Sequence, residues 1–339
     1  MSEKIDLLMT VPIPDELIEK LQSVSSRLHI HQHRVSRAEE VPAEVWATAE
    51  VLYTGRVIPQ PSQAPNLRWI QFHFTGVDHA WEAPILRREG LVVTTMSGAS
   101  ATQVAEYIAM MILALGHRLP DMIEHQKKIV WPKDRWERFS PHEIRNATVG
   151  IIGYGSIGRQ LARLLYAFGA RILASKRHGM NPRDDGYTAA GFGDPEGDYV
   201  HRIYPAEALK SMARESDFLV NTLPLTPATR GLIGAEVFSV MKDTAYLIDI
   251  SRGGVINHTA LIGALKDKKI AGAALDVFPE EPLPPDDPLW KMPNVIVTPH
   301  ISGISPYYDA RAVELFSENL RHYLAGSRLL NQLDLERGY

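Results

Sequence analysis

Two alternating rhythms of hydrophobic and polar positions run along the 339 residues of the chain. Short apolar runs at 5–9, 51–54, 67–71 and 91–95 predict strands, while 15–21 and 43–49 repeat apolar residues at helical spacing. That alternation predicts a small parallel α/β unit. Residues 101–115 read as one long apolar helix. The stretch 120–146, charged and carrying three prolines and two tryptophans, reads as a connection with one or two helices. From 147 the alternation resumes, and strands are predicted at 148–152, 170–175, 217–222, 245–250, 271–277 and 294–298. A last helix at about 306–324 precedes a polar tail. If that helix returns to the first unit, the domains are 1–100 with 305–339, and 101–304.

Length adds to this picture, because a chain of this size is too long for one ordinary core and 45% apolar residues suffice for two. A net charge of −4 gives no general attraction to nucleic acid or to an anionic membrane, so neither is an expected partner. The chain has no cysteine, which excludes disulfides and thiol chemistry and agrees with a reducing, cytoplasmic setting. Its N-terminus carries acids where a signal peptide would carry a basic region. The longest apolar stretch, 107–115, is about half of what a membrane-spanning helix needs.

The first chemistry lies where the second unit begins. The run Thr148-Val149-Gly150-Ile151-Ile152-Gly153-Tyr154-Gly155-Ser156-Ile157-Gly158-Arg159 joins a buried strand to a helix through three spaced glycines. Gly153 allows a sharp turn, Gly155 lets the backbone approach a pyrophosphate, and Gly158 lets the helix pack close to its strand. With Ser156 and Ile157 they open a helix whose N-terminal N–H groups suit phosphates. This predicts a dinucleotide clamp. NAD calls for an acid after the second strand, yet the chain reads Arg171-Ile172-Leu173-Ala174-Ser175-Lys176-Arg177, with no acid before Asp184. Lys176 and Arg177 would offer a point charge and a planar fork to a 2′-phosphate, with Ser175 as a further donor, so NADP is the expected cofactor and NAD the alternative.

Three ionisable residues follow predicted strands of the same unit: Arg252, Glu281 and His300. Ligands of such sheets bind beyond the carboxyl ends of the strands. Reduction of a ketone needs a hydride and a proton, and histidine is suited to give the proton near neutrality. A neighbouring carboxylate favours its protonated form, and arginine can hold a substrate carboxylate and polarise the adjacent carbonyl. Taken singly, His300 could cap a strand, Glu281 could be a solvated loop acid, and Arg252 could pair with Asp249.

Together these segments resemble the D-isomer-specific 2-hydroxyacid dehydrogenase family. The resemblance rests on the glycine turn, Asn221-Thr222-Leu223-Pro224-Leu225-Thr226-Pro227 with Thr229, Ser251-Arg252-Gly253-Gly254, Gly272-Ala273-Ala274-Leu275-Asp276-Val277-Phe278, Glu281-Pro282-Leu283 and Thr298-Pro299-His300-Ile301-Ser302-Gly303. Thr75-Gly76-Val77-Asp78 and Val104-Ala105-Glu106 are shorter matches in the first half. The resemblance implies a Rossmann doubly wound sheet with a smaller flavodoxin-like α/β substrate domain, usually in a homodimer. It implies His300 as acid/base, Glu281 as its carboxylate partner and Arg252 as the substrate clamp, with Gly76 and Val77 binding the same carboxylate. Asp276 would hold the nicotinamide amide, and Leu223, Pro224, Thr229, Ile250, His300 and Gly303 would line the cofactor site. The implied activity is reduction of a small 2-oxo acid, with glyoxylate and hydroxypyruvate as first candidates. Alternatives are a larger or phosphorylated hydroxy acid, or a dinucleotide-sensing corepressor of the same fold. Asp249 stands where the family often has asparagine, and Asn257 where it often has aspartate; an extra carboxylate near Arg252 would weaken anion binding.

Other signals have plainer readings. His29, His31 and His33 alternate on a probable strand, but that strand offers no further ligand, so no metal site is expected. Residues 181–198, rich in Gly, Asp and Pro, read as a flexible loop, and the proline-rich 279–285 as an active-site loop rather than a polyproline ligand. Trp131 and Trp136 are expected as interface or core anchors.

Overall fold

A computed structural model describes residues 4–177, 181–184 and 186–335. The ends of the first expected domain, 1–3 and 336–339, lie outside the described residues, as do 178–180 and 185 in the expected loop. The chain forms two compact units, one of 1–100 with 305–339 and one of 101–304.

The first unit is a parallel sheet of β1 (Ile5–Met9), β2 (Leu28–Gln32), β3 (Val51–Thr54), β4 (Trp69–Phe72) and β5 (Val92–Thr94), in the order β2-β1-β3-β4-β5. This is the flavodoxin-like strand order. Helices α1 (Asp15–Gln22), α2 (Ala43–Thr48) and α10 (Tyr308–Leu324) cover it. Leu8, Leu52, Ile70 and Phe72 form one core with Trp46 of α2. On the other face the ring of Phe316 from α10 lies 4.7 Å from Tyr53 and 5.2 Å from Trp69.

In the second unit α3 (Ala101–Gly116), α4 (Leu119–Lys127) and the short α5 (Arg135–Arg138) precede the sheet. Its strands are β6 (Thr148–Ile152), β7 (Arg171–Lys176), β8 (Arg202–Pro205), β9 (Phe218–Asn221), β10 (Tyr246–Asp249), β11 (Gly272–Leu275) and β12 (Val295–Val297). They lie in the order β12-β11-β10-β9-β6-β7-β8, all parallel, which is the Rossmann order with one strand added. Helices α6 (Ser156–Ala167), α7 (Leu209–Glu215), α8 (Ala235–Phe238) and α9 (His258–Lys266) make the crossovers. Both faces of the strands are buried, which explains their nearly unbroken apolar runs. Val149, Ile151, Val220 and Ile248 pack on the side of α3 and α6, while Ile152, Leu219 and Leu247 pack on the side of α7, α8 and α9.

Six strands are expected here and seven form among the described residues. The unexpected one, β8, is short and exposed at both ends, so its buried run is only Ile203-Tyr204. The expectation of a flexible loop over 181–198 is also corrected. Fully buried Arg159 of α6 donates to Pro182 O at 2.7 Å and to Asp194 O, its guanidinium lies 4.5 Å from the Tyr154 ring, and Tyr154 donates to the Asp194 carboxylate. Gln160 adds an acceptor for Gly193 N at 2.6 Å. The described part of the loop is therefore docked on the helix that begins at the glycine turn. Among the described residues no helix is long and apolar enough to cross a membrane.

Candidate active site

The glycine turn sits at the carboxyl end of β6, between β7 and β9, where the winding of the sheet changes direction. Each glycine answers a different demand. Gly153 has φ +94°, and a side chain there would also meet Thr222 Oγ1 at 3.0 Å. A Cβ at Gly158 would lie 2.5 Å from Gly153 O. Gly155 instead faces open space, with nothing within 4 Å of its Cβ direction, and serves as the N-cap of α6. The first N–H groups of α6, from Ser156, Ile157 and Gly158, lie before the first intrahelical bond, which Arg159 N makes to Gly155 O at 2.9 Å. Neighbouring strand ends hold the turn, since Gly153 N donates to Ser175 O at 3.2 Å and Thr222 Oγ1 donates to Gly153 O at 2.8 Å. An open approach over Gly155 at a helix N-terminus fits a dinucleotide pyrophosphate.

Lys176 ends β7 beside this turn. Its ammonium donates to Asn181 O at 3.3 Å and Arg183 O at 3.2 Å, so the docked loop shapes its position; Arg177 beside it is exposed. After β9, Leu223 and Pro224 are half-buried, and Ile250 after β10 is buried. Thr229 is turned inward, donating to Pro224 O and accepting from Thr226 N, each at 2.7 Å. Its hydroxyl thus shapes the Pro224–Thr229 loop.

Asp249 ends β10 fully buried. Its Oδ1 accepts from Ser251 Oγ at 2.7 Å, and from Ser251 N and Asn221 Nδ2 at 3.0 Å each. Burial raises its pKa to about 6 against these bonds, and Asp276 nearby adds to the rise. Arg252 follows, half-buried, and donates to Ser251 O at 2.8 Å. The next residue must be glycine, because a Cβ on Gly253 would lie 1.8 Å from Phe278 O. Asn257 caps α9, accepting from Ala260 N at 2.9 Å, a task asparagine and aspartate perform alike.

His300 and Glu281 meet directly: Nδ1 lies 2.8 Å from Oε2. The other carboxylate oxygen of Glu281 accepts from Phe278 N at 3.0 Å, and the Glu281-Pro282 bond is cis. His300 is left-handed at φ 54°, an uncommon state for a residue with a side chain. Asp276 holds it there. Its buried carboxylate accepts from the Thr298 hydroxyl before His300, at 2.6 Å, and from the backbone N–H groups of Ile301 and Ser302 after it, at 2.9 and 2.8 Å. Tyr107 of α3 extends the chain through the Thr298 hydroxyl, and burial pushes its phenol up to about 12, so it remains a donor. Gly303 O is held by Gln103 Nε2 at 3.0 Å.

In the first unit, Gly76 is half-buried and Val77 buried in the loop after β4. Buried His73 opens that loop, its Nδ1 2.6 Å from the Tyr53 hydroxyl. Burial lowers its pKa, against the pull of Asp309.

The sheet order, the glycine cradle and the His300–Glu281 pair at the strand ends agree with what comparison finds. The sequence profile described as "D-isomer specific 2-hydroxyacid dehydrogenase, NAD binding domain" matches residues 109–302. The chain belongs to the D-isomer-specific 2-hydroxyacid dehydrogenase family. Glyoxylate reductase of Korarchaeum cryptofilum is 34% identical over 274 residues, covering 79% of this chain and 77% of that one. Glyoxylate reductase/hydroxypyruvate reductase of Mus musculus is 37% identical over 269 residues, covering 78% and 75%. A D-isomer-specific 2-hydroxyacid dehydrogenase from Xanthobacter autotrophicus Py2, solved with NADPH and MES, superimposes with a TM-score of 0.80 at 28% identity, over 99% of this chain and 100% of that one. The protein is thus an NAD(P)-dependent 2-hydroxyacid dehydrogenase, similar in sequence to glyoxylate and hydroxypyruvate reductases.

Within this dehydrogenase the structure brings Glu281, His300 and Asp276 together, and sets the glycine turn, Lys176, Leu223, Pro224, Ile250 and Arg252 along the same carboxyl edge of one sheet. Sequence reasoning missed Tyr107, Thr298 and Arg159. The first two reveal themselves only through contacts between α3 and the end of β12. Arg159 carried no such signal either: it stands two residues from both Ile157 and Leu161, on the other side of α6, where a charge reads as solvated, and only its contacts with Pro182 and Asp194 show it buried.

Proposed function

We propose that this dehydrogenase reduces small 2-oxo acids, glyoxylate and hydroxypyruvate foremost, to D-2-hydroxy acids, and prefers NADPH to NADH. The observation that carries the reading is the 2.8 Å pairing of Glu281 with His300 on the sheet edge that also bears Arg252 and the glycine turn. Gly153, Gly155, Ser156, Ile157 and Gly158 would hold the pyrophosphate, and Leu223, Pro224, Thr229, Ile250, Asp276 and Gly303 the rest of the cofactor. Lys176 and Arg177 would hold a 2′-phosphate. When bound, NADPH supplies the hydride that reaches C2 of the substrate.

The chain's own residues do the rest. Arg252 binds the substrate carboxylate and draws charge toward the carbonyl oxygen. Glu281 engages Nδ1 of His300, which leaves Nε2 as the atom that hands a proton to the forming alkoxide. Asp276 keeps the imidazole aimed by fixing the backbone around it. Gly76 and Val77 are proposed, on their sequence match, as substrate-binding residues of the first unit.

The NADP preference is supported by the absence of an acid at the end of β7 and by the NADP bound to a related glyoxylate/hydroxypyruvate reductase from Sinorhizobium meliloti, 25% identical with a TM-score of 0.76 over 99% of this chain and 100% of that one. A homodimer is proposed as well. Trp131 and Trp136, 84% and 80% exposed, are not core anchors, and with exposed Ile129 and Val130 they would offer apolar area for a second copy to cover. Steady-state assays of a 2-oxo acid panel with each cofactor test the reading. It expects the highest kcat/KM with glyoxylate or hydroxypyruvate and NADPH, and it fails if every 2-oxo acid is inert or NADH is the better donor.

A further inference from the structure

The alternating histidines of the first unit find no third ligand on their own strand. The fold supplies one from the neighbouring strand. β1 and edge strand β2 pair in parallel with Asp6 opposite His29, and His31 lies two residues on, on the same face. Asp6 Oδ1 is 2.8 Å from His29 Nδ1 and 3.1 Å from His31 Nε2, and the three donor atoms all lie within 4.8 Å of one another. The two rings meet edge to face with centroids 4.2 Å apart. His33 falls beyond the end of β2 and is not part of the group.

Ligands at about 2.0–2.1 Å from a tetrahedral ion stand roughly 3.3 Å from each other, so the two Asp6–histidine contacts, at 2.8 and 3.1 Å, would open by a few tenths of an ångström to admit one. Two imidazoles and one carboxylate select a borderline divalent ion over calcium or magnesium, which favour sets of oxygens. Half-exposed ring edges leave an ion an entry path and at least one position for water.

We propose that Asp6, His29 and His31 bind one divalent transition-metal ion of the Zn2+, Co2+ or Ni2+ type, clamping β2 to β1. The site uses none of the residues assigned to the reduction, so its occupancy leaves that chemistry in place. The test uses tag-free, chelator-treated full-length protein, titrated with Zn2+ by calorimetry and with Co2+ by visible absorption. One ion per chain is expected, with the d–d bands of a nitrogen and oxygen ligand set. Asp6→Asn should weaken binding at least tenfold, and His29→Ala with His31→Ala should abolish it. A rise in Tm with Zn2+ should appear in the wild type and vanish in the double variant, while NADPH-dependent turnover measured without metal is equal in both. Affinity unchanged in the double variant would place the ion elsewhere and overturn the proposal, as would no saturable binding to the wild type.

Discussion

Glu281 holds His300 Nδ1 at 2.8 Å with one carboxylate oxygen while Phe278 N–H fixes the other at 3.0 Å. The carboxylate therefore arrives pre-aimed. Glu281→Gln keeps the shape and one hydrogen bond but removes the negative charge beside the imidazole. The expected result is a fall in kcat for 2-oxo acid reduction of roughly tenfold to a hundredfold. An unchanged kcat would show that the charge of Glu281 plays no part in the proton transfer.

Buried Asp249 gives a pH signature in stability. Burial raises its pKa from the ordinary aspartate range to about 6, so the folded chain holds this proton more tightly than the unfolded one. Stability from this group is then greatest below pH 4, declines as pH climbs toward 6, and is level above. Asp249→Asn removes the buried charge while keeping an acceptor for Ser251. Its advantage over the wild type in urea unfolding should grow between pH 4 and 7 to about 2–3 kcal/mol. Parallel stability curves would contradict this.

Cofactor choice is tested at the end of β7. Lys176→Asp replaces the charge expected to meet a 2′-phosphate with an acid suited to ribose hydroxyls. The kcat/KM for NADPH should drop by about tenfold to a hundredfold, the worth of one charge-assisted hydrogen bond, and NADH should lose nothing. An unchanged NADPH to NADH ratio would remove Lys176 from selectivity.

The docked loop has its own test. Arg159→Leu leaves Asp194 O and Pro182 O without their guanidinium donors, and should cost on the order of 3 kcal/mol. Cleavage within 181–198 by a low dose of protease should become fast in the variant and stay slow in the wild type. Equal cleavage rates would show that Arg159 does not hold the loop.

Much of this architecture could be read from the pattern of residues. Strands buried on both faces announce themselves as apolar runs, and the glycine turn, Arg252, Glu281 and His300 carry chemistry in their type and place. What escaped reading depends on contacts across the chain. β8 has two apolar residues and gains its identity only by pairing with β7. The loop at 181–198 has the composition of a flexible segment, yet Arg159, more than twenty residues earlier, docks it. Asp276 was read from the resemblance as a cofactor ligand, and its grip on Ile301 and Ser302 appears only once β11 and the residues after β12 stand side by side. Asp6 and His29 are likewise neighbours only through strand pairing.

The proposed reduction turns on delivery of the proton by His300. The most direct measurement is single-turnover reduction of glyoxylate by NADPH in His300→Ala, alongside the cofactor Kd by fluorescence. The account predicts a rate lower by about a hundredfold to ten-thousandfold with Kd changed little. A turnover rate equal to that of the wild type would contradict it.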